Sequence, residues 1–358
     1  MSIKVGVIGT GMMGSSQIRN CFGKLPQYEI TAICDNYQPN LDAVSGWLAD
    51  KGQKVASFTD YKEMLQQADF DLAVIVTPDF AHEEQAVACL NAGKHVRLEK
   101  PMATTPQGCK NILEAYQKSG KVLQIGLELR YAYLTRRMQE LKERLGSTKM
   151  VWCHEFRHPF LDKTGSVKNW IIEKRFSGGT LLEKNCHHFD LFNMVAGAKP
   201  VRVYASGDNQ VIYQHTDVLD NAFVTVEYEN GIRACLSLCM FAPEKKGQKH
   251  MGALELGILG DKGRLELKDD ELYFWDRDCH TEEHYHFNRS NFEAHSDDIT
   301  PSLIELAGCI ETGTQPYTDI RTGINSAMVG MAAELSAEEK RIVEISEMEK
   351  LFGVSFLL

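Results

Sequence analysis

The chain has no Cys-x-x-Cys pair, no run of basic residues, and no apolar run near the roughly 20 residues that cross a bilayer. Each absence excludes something. The 10 cysteines are scattered. Cys235 and Cys239 share a face of a strand-like run but stand too far apart along it to bridge. All ten read as reduced core thiols rather than a disulfide framework. The formal net charge is -10, and the Lys245-Lys246 pair falls in a loop. That balance argues against a partner with a phosphate backbone, so neither nucleic acid nor membrane is expected. The opening Met-Ser-Ile-Lys-Val runs straight into a buried-strand pattern. No signal peptide is read there, and the expected location is cytoplasmic. No internal repeat or low-complexity segment appears.

What is present is 358 residues, 43% apolar and 25% charged, which is ordinary globular composition at a length suited to two domains. The first half alternates strand and helix. Apolar runs at 4–9, 29–35, 70–78, 95–101 and 121–128 alternate with helical patterns ending at glycines. That alternation predicts a doubly wound parallel sheet. From about Val151 strand patterns follow one another directly: 149–157, 201–207, 221–229, 231–241, 252–260, 263–268 and 271–275. Asn230-Gly231 between two alternating runs is a hairpin signal. The second half is therefore expected to be α+β, with a large, open, mostly antiparallel sheet. Helices at 176–197, 300–312 and 321–338 are expected to cover one face. The boundary is placed between 1–127 and 128–358, with the final residues able to pack back on the first domain.

The run "VGVIGTGMMG" holds Gly9-x-Gly11-x-x-Gly14 between a strand and a helix. Glycines there allow a tight turn and close backbone approach to a pyrophosphate, which meets the free amides of the helix start. Met12 and Met13 complete the loop. Asp35 ends the second strand, 21 residues past the last glycine, where a carboxylate binds ribose hydroxyls and repels a 2′-phosphate. NAD is the cofactor this predicts. Ligands of such sheets lie at the carboxyl ends of strands. The stretches "VTPDFAH" and "EKP" therefore add Thr77, Pro78, His82, Glu99 and Lys100 to the cofactor candidates; a solvated Glu99-Lys100 pair is the alternative.

"FSGGTLLEKNCHHFD" packs Glu183, His187, His188 and Asp190 into eight residues behind Gly178-Gly179. Read as one helix, Glu183, His187 and Asp190 share a stripe. Leu182, Cys186 and Phe189 make the apolar stripe beside it. A solvated face would carry Lys-Glu pairs instead. A metal site needs three or four convergent ligands, and none is expected. Acid–base chemistry is the remaining reading, with the two glycines permitting close approach to a ligand. Candidate substrate contacts are Arg130, Tyr131, Arg157, His158, Asn169, Trp170, Arg175 and His188; each could equally be a surface or packing residue. The cluster His280, His284 and His286 reads as an exposed strand or loop.

In order, the glycine loop, "TP" with His82, "EKP", the "GG…H…D" segment and "SAEEKRIVEIS" resemble the Gfo/Idh/MocA oxidoreductase family, the glucose–fructose oxidoreductase and inositol dehydrogenase group, over nearly the whole chain. The resemblance implies a Rossmann domain followed by an α/β domain whose open sheet mediates oligomers, a homodimer or homotetramer. It also implies NAD-dependent oxidation of a secondary hydroxyl of a sugar, glycoside or cyclitol. Lys100 and His187 match the lysine and histidine that act at the reacting hydroxyl, and Glu183 matches the acidic residue four before that histidine. The chain departs from the family's Asp-x-Gly-x-His, having Glu183-Lys184-Asn185-Cys186-His187, and its fifth strand ends "GLELRY". These departures keep open a redox-neutral NAD-dependent glycosidase that works through a transient keto-sugar and elimination. A non-enzymatic ligand sensor would not need Lys100 and His187.

Overall fold

The computed structural model describes residues 2–157, 169–243, 253–277, 281–288 and 296–357. His158 and His280 lie outside the described residues. The chain forms two compact units: Met1–Ala103 with Gln107–Tyr131 and Ser290–Gly323, and Thr104–Pro106 with Ala132–Arg289 and Ile324–Leu358.

The first unit runs β1 (Ile3–Ile8), α1 (Met12–Asn20), β2 (Tyr28–Cys34), α2 (Gln38–Asp50), β3 (Ala56–Phe58), α3 (Tyr61–Gln67), β4 (Leu72–Ile75), α4 (His82–Asn91), β5 (His95–Leu98), α5 (Pro106–Ser119) and β6 (Leu123–Ile125). The strands pair in parallel in the order β3-β2-β1-β4-β5-β6. Val5, Val7, Leu72, Val74, Val96 and Leu98 are buried along them. Such unbroken β-branched and leucine runs suit strands covered on both faces. The order reverses direction between β1 and β4, so the glycine loop after β1 opens at the switch point where these sheets bind ligands. The sequence reading did not anticipate β3 and α3. β3 is three residues long, with Ala56 and Ser57 exposed, and gives no apolar run to read.

The second unit begins with α6 (Tyr133–Leu141) and β7 (Thr148–Phe156), then α7 (Lys174–Ser177), α8 (Thr180–Glu183) and α9 (Cys186–Ala196). β8 (Pro200–Asp208), β9 (Asn221–Tyr228), β10 (Arg233–Cys239), β11 (Ala253–Gly260), β12 (Gly263–Lys268), β13 (Glu271–Asp276) and β14 (Glu282–His286) follow. The chain closes with α10 (Ser296–Thr312), α11 (Ile320–Glu339), β15 (Val343–Glu344) and α12 (Ile345–Phe352). Nine strands form one sheet in the order β14-β13-β12-β11-β7-β10-β9-β8-β15. β7 and β10 pair in parallel, and the other pairs are antiparallel. Gly231, at φ 84°, makes the expected hairpin turn between β9 and β10. Val151, Cys153 and Glu155 of β7 are buried, while Met150 and Phe156 are exposed. One face of the sheet is thus covered and the other carries exposed apolar groups.

Helix α10 corrects one expectation. It belongs to the first unit, not to the cover of the second sheet. Its Ile299, Leu303 and Leu306 join a core with Val5, Val7, Ile18 and Phe22. Tyr28 Oη donates to the Leu303 carbonyl at 2.6 Å, and Gln124 Nε2 donates to the Ser302 carbonyl at 3.0 Å. The apolar stripe of α10 was legible, but a stripe does not name the sheet it will cover.

Candidate active site

In the first unit, Gly9 follows β1 with φ 96°, a backbone state that other residues rarely adopt. A Cβ at Gly9 would lie 2.5 Å from the Val76 carbonyl oxygen, and one at Gly14 would lie 2.0 Å from the Gly9 oxygen. The glycines therefore let the loop fold flat against β4 and start α1 at Met12, with Gly11 supplying no side-chain cap. The Asp35 carboxylate is held beside this loop. Its Oδ2 accepts from Thr10 N at 2.7 Å and Thr10 Oγ1 at 3.1 Å, and its Oδ1 accepts from Tyr37 N at 2.9 Å. Asn40 Nδ2 also donates to Oδ2, at 3.4 Å, so four donors already meet this carboxylate. This cradle fits a dinucleotide: the glycines would admit the pyrophosphate to the α1 amides, and Asp35 would face the ribose. Thr10, missed by the sequence reading, sets the carboxylate's orientation.

The next two strand ends are tied together by His82. It is fully buried, with Nδ1 2.8 Å from the Pro101 carbonyl and Nε2 3.0 Å from the Thr77 carbonyl. Burial pushes its pKa down, and the two carbonyl contacts act against that. Its ring nitrogens face the protein's own backbone, clamping the loops after β4 and β5. Thr77 Oγ1 donates to Gln85 Oε1 at 2.6 Å, beside Pro78. Glu99 accepts from Gln17 Nε2 at 2.7 Å. A Cβ on Gly126 would touch that carboxylate at 2.9 Å. Lys100 follows at the carboxyl end of β5, half-buried, with a cis bond to Pro101. Arg130 and Tyr131 are buried in the same unit. The Arg130 guanidinium lies 4.9 Å from the Tyr317 ring centre, and Tyr131 Oη bonds Glu305. Both contacts are packing within the unit.

In the second unit, the single helix expected over 176–197 is broken. Gly178 (φ 76°) and Gly179 (φ 102°) end α7, and Lys184-Asn185 interrupt the chain between α8 and α9. Glu183 ends one short helix and His187 lies in the first turn of the next, so their four-residue spacing crosses a bend. Leu182, Cys186 and Phe189 are buried as expected. In α9 every residue but Met194 is buried, His187, His188, Asp190 and Asn193 included. So many buried polar groups on one helix call for partners.

Several partners come from a residue the sequence reading passed over. Glu155 of β7 is 5% exposed. Its carboxylate lies 3.4 Å from Arg157 Nη1, 3.5 Å from Lys184 Nζ and 3.3 Å from His188 Nε2. The other ring nitrogen of His188 is 3.2 Å from Asn185 Nδ2, so both ring nitrogens face polar groups of the protein. Burial lowers the pKa of Arg157, and the charges of Glu155 and Glu183 act against that. Tyr213, also missed, is buried, and its hydroxyl is pushed up to about 12 by burial and then by the Glu183 charge. The loop carrying it is organised by Asp220, whose carboxylate accepts from the backbone amides of Gln210, Val211, Ile212 and Tyr213. Glu155 could have been found from a charge on the inward-facing positions of β7. Tyr213 lies in an irregular loop and gave no signal.

The remaining candidates are more exposed. Arg175 is exposed and bonds Glu173 twice, at 2.9 and 2.6 Å. Asn169 is exposed and Trp170 half-buried in a short turn before α7. His284 and His286 are exposed on β14 and both contact Glu271. Among the described residues, no group of three or more His, Cys, Asp or Glu could hold a metal ion. No helix among them is long and apolar enough to cross a membrane.

Residues 3–127 match the oxidoreductase family's NAD-binding Rossmann fold, and residues 139–345 match its C-terminal alpha/beta domain. Inositol 2-dehydrogenase of Salmonella typhimurium is 26% identical over 273 residues, covering 75% of this chain and 74% of that protein. Myo-inositol 2-dehydrogenase of Thermotoga maritima is 23% identical over 352 residues, covering 97% and 99%. The WlbA dehydrogenase of Bordetella pertussis, solved with NADH and UDP-GlcNAcA, shares the fold at a TM-score of 0.79 and 22% identity, over 96% of this chain and 99% of that one.

Proposed function

The chain belongs to the Gfo/Idh/MocA oxidoreductase family, and on that premise we propose that it oxidises a secondary hydroxyl of a cyclitol or sugar with NAD. The observation that carries the cofactor is the glycine cradle with Asp35 anchored on Thr10 beside it. Two curated inositol dehydrogenases among its relatives support the substrate class.

When bound, the nicotinamide accepts the hydride. This chain's residues handle the proton and the charge. His187 takes the hydroxyl proton as general base. The Lys100 ammonium stabilises the alkoxide that develops as the proton leaves. Glu183 orients His187 or bonds a neighbouring substrate hydroxyl. Asp35 holds the adenosine ribose and disfavours a 2′-phosphate. A homo-oligomer built on the open sheet face is part of the same proposal. Its support is the exposed apolar side chains of Phe156, Tyr204 and Phe223.

The test gives the purified protein NAD and a panel of myo-inositol, free sugars and aryl glycosides, following NADH absorbance and aglycone release together. NADH accumulating as the alcohol is consumed supports the proposal. Aglycone release that needs NAD but yields no net NADH replaces it with the redox-neutral glycosidase.

A further inference from the structure

The Gly178-Gly179 pair does more than open the backbone to a ligand: the group that approaches it belongs to the protein. Glu334 of α11 is buried. A Cβ placed on Gly179 would lie 2.2 Å from the Glu334 Cδ and 2.4 Å from each carboxylate oxygen. Only a glycine lets this carboxylate reach the turn, and the φ of 102° at Gly179 disfavours a side chain there as well. Glu334 Oε1 accepts from Leu181 N at 2.7 Å, in the first turn of α8. Glu334 Oε2 lies 3.7 Å from Lys174 Nζ, which reaches Glu338 at 2.7 Å. The same carboxylate thus reaches Lys174 at the start of α7, the glycine turn and the first turn of α8. Glu183 closes α8, and His187 begins α9 four residues on.

We propose that Glu334 is a positioning residue: its carboxylate, seated on Gly179 and bonded to the Leu181 amide, sets the direction in which α8 presents Glu183 and hands the chain on to His187. The proposal rests on the reading of His187 and Glu183 as the acid–base segment. Burial pushes the Glu334 carboxyl up to about 7, with Lys174 acting against it. The charged groups whose fields reach it are Lys174 from α7 and Glu338 from its own helix. Near neutral pH the seat therefore exchanges between a neutral carboxylic acid and a carboxylate paired with Lys174.

The experiment uses the full chain without substrate, as wild type, Glu334→Gln and Glu334→Ala. It records amide hydrogen exchange and the NMR signals of the His187 ring nitrogens from pH 5.5 to 8.5, a window of about 1.5 pH units on either side of neutrality. In Glu334→Ala, exchange at Leu181, Leu182 and Glu183 should rise by about tenfold or more, and the His187 ring signals should move. Glu334→Gln keeps an acceptor for Leu181. It should match the wild type at the acid end and lack the wild type's titration step near neutrality in residues 180–187. Unchanged exchange in Glu334→Ala, or His187 signals indifferent to it, would overturn the proposal. If Glu334→Ala does not fold, the step decides: a wild type with no such step, or a Glu334→Gln that keeps it, overturns the proposal. If no alcohol in the panel is oxidised, the reading of the reaction fails by itself, and these substrate-free readouts still decide the role of Glu334.

Discussion

At the scale of residues, the removal of three side chains should give two different signatures. On the proposed reading, Lys100→Ala and His187→Ala each remove a group that acts on the reacting hydroxyl. Each should lower turnover by at least about 100-fold. NAD affinity, followed by quenching of protein fluorescence, should stay as in the wild type. Near-normal turnover in both variants would remove them from the chemistry. Asp35→Ala acts on the cofactor instead. Losing a charged acceptor for ribose should weaken NAD binding by about tenfold. It should narrow the preference over NADP, because the repulsion of a 2′-phosphate goes with the carboxylate. Asp35 also holds the Thr10 amide, so the ratio of the two affinities is the cleaner readout. Equal loss for both dinucleotides would mean that Asp35 only braces the loop.

At the scale of elements, local geometry predicts what substitutions in loops will cost. A methyl at Gly14 would sit 2.0 Å from the Gly9 carbonyl oxygen, a contact with backbone. Gly14→Ala should therefore push α1 off the loop and abolish NAD binding, seen as the loss of NAD-dependent thermal protection; undiminished protection would contradict the cradle. Asp220→Ala removes four amide partners at once and should cost about 2–4 kcal/mol in urea unfolding. The Asp220 pKa is lowered: burial works to raise it, and its bonds to the Val211 amide, the Asn221 side chain and the Ile212 and Tyr213 amides outweigh that. Its stabilisation is thus present above the carboxyl's unfolded pKa and lost as pH falls through the folded value.

These elements also show what could be read beforehand. β1 and β4 are apolar runs ending at special residues, and both were legible. The loop glycines were legible for the same reason: only Gly tolerates the φ at Gly9. The break between α8 and α9 was not. Residues 176–190 keep helical periodicity straight through Lys184-Asn185, and the bend is decided by tertiary contacts such as Glu155 with Lys184 and His188. Glu334 lies more than 140 residues beyond the turn it braces, and nothing local in the sequence links it to Gly179. α10 had the right pattern and the wrong assignment, because its partner sheet was chosen by contacts with Tyr28 and Gln124.

At the scale of the whole molecule, the second unit's sheet leaves an apolar face uncovered, with Phe223 70% exposed. An apolar patch of this kind is costly on a free surface. If the proposed oligomer is built on this face, Phe223→Glu should lower the mass seen in light scattering without unfolding the chain; an unchanged mass would remove this face as an interface. Stability should also carry the mark of Glu334. Its folded pKa is raised from 4.5 to about 7. Between those values the folded chain keeps a proton that the unfolded chain has released. Its contribution to stability therefore falls as pH rises through that window and is flat above it. Glu334→Gln should lack this contribution, so the difference in melting temperature between variant and wild type should change with pH across that window. An identical slope in both would show that the carboxyl does not titrate there.

The central claim is the oxidation of a cyclitol or sugar hydroxyl with NAD, and one measurement addresses it most directly: absorbance at the NADH band after wild-type protein meets NAD and myo-inositol, with NADP in a parallel cell. The account predicts NADH accumulating with NAD, far less with NADP, and none with His187→Ala. No NADH from myo-inositol or from any alcohol of the panel, in a protein that demonstrably binds NAD, would contradict it.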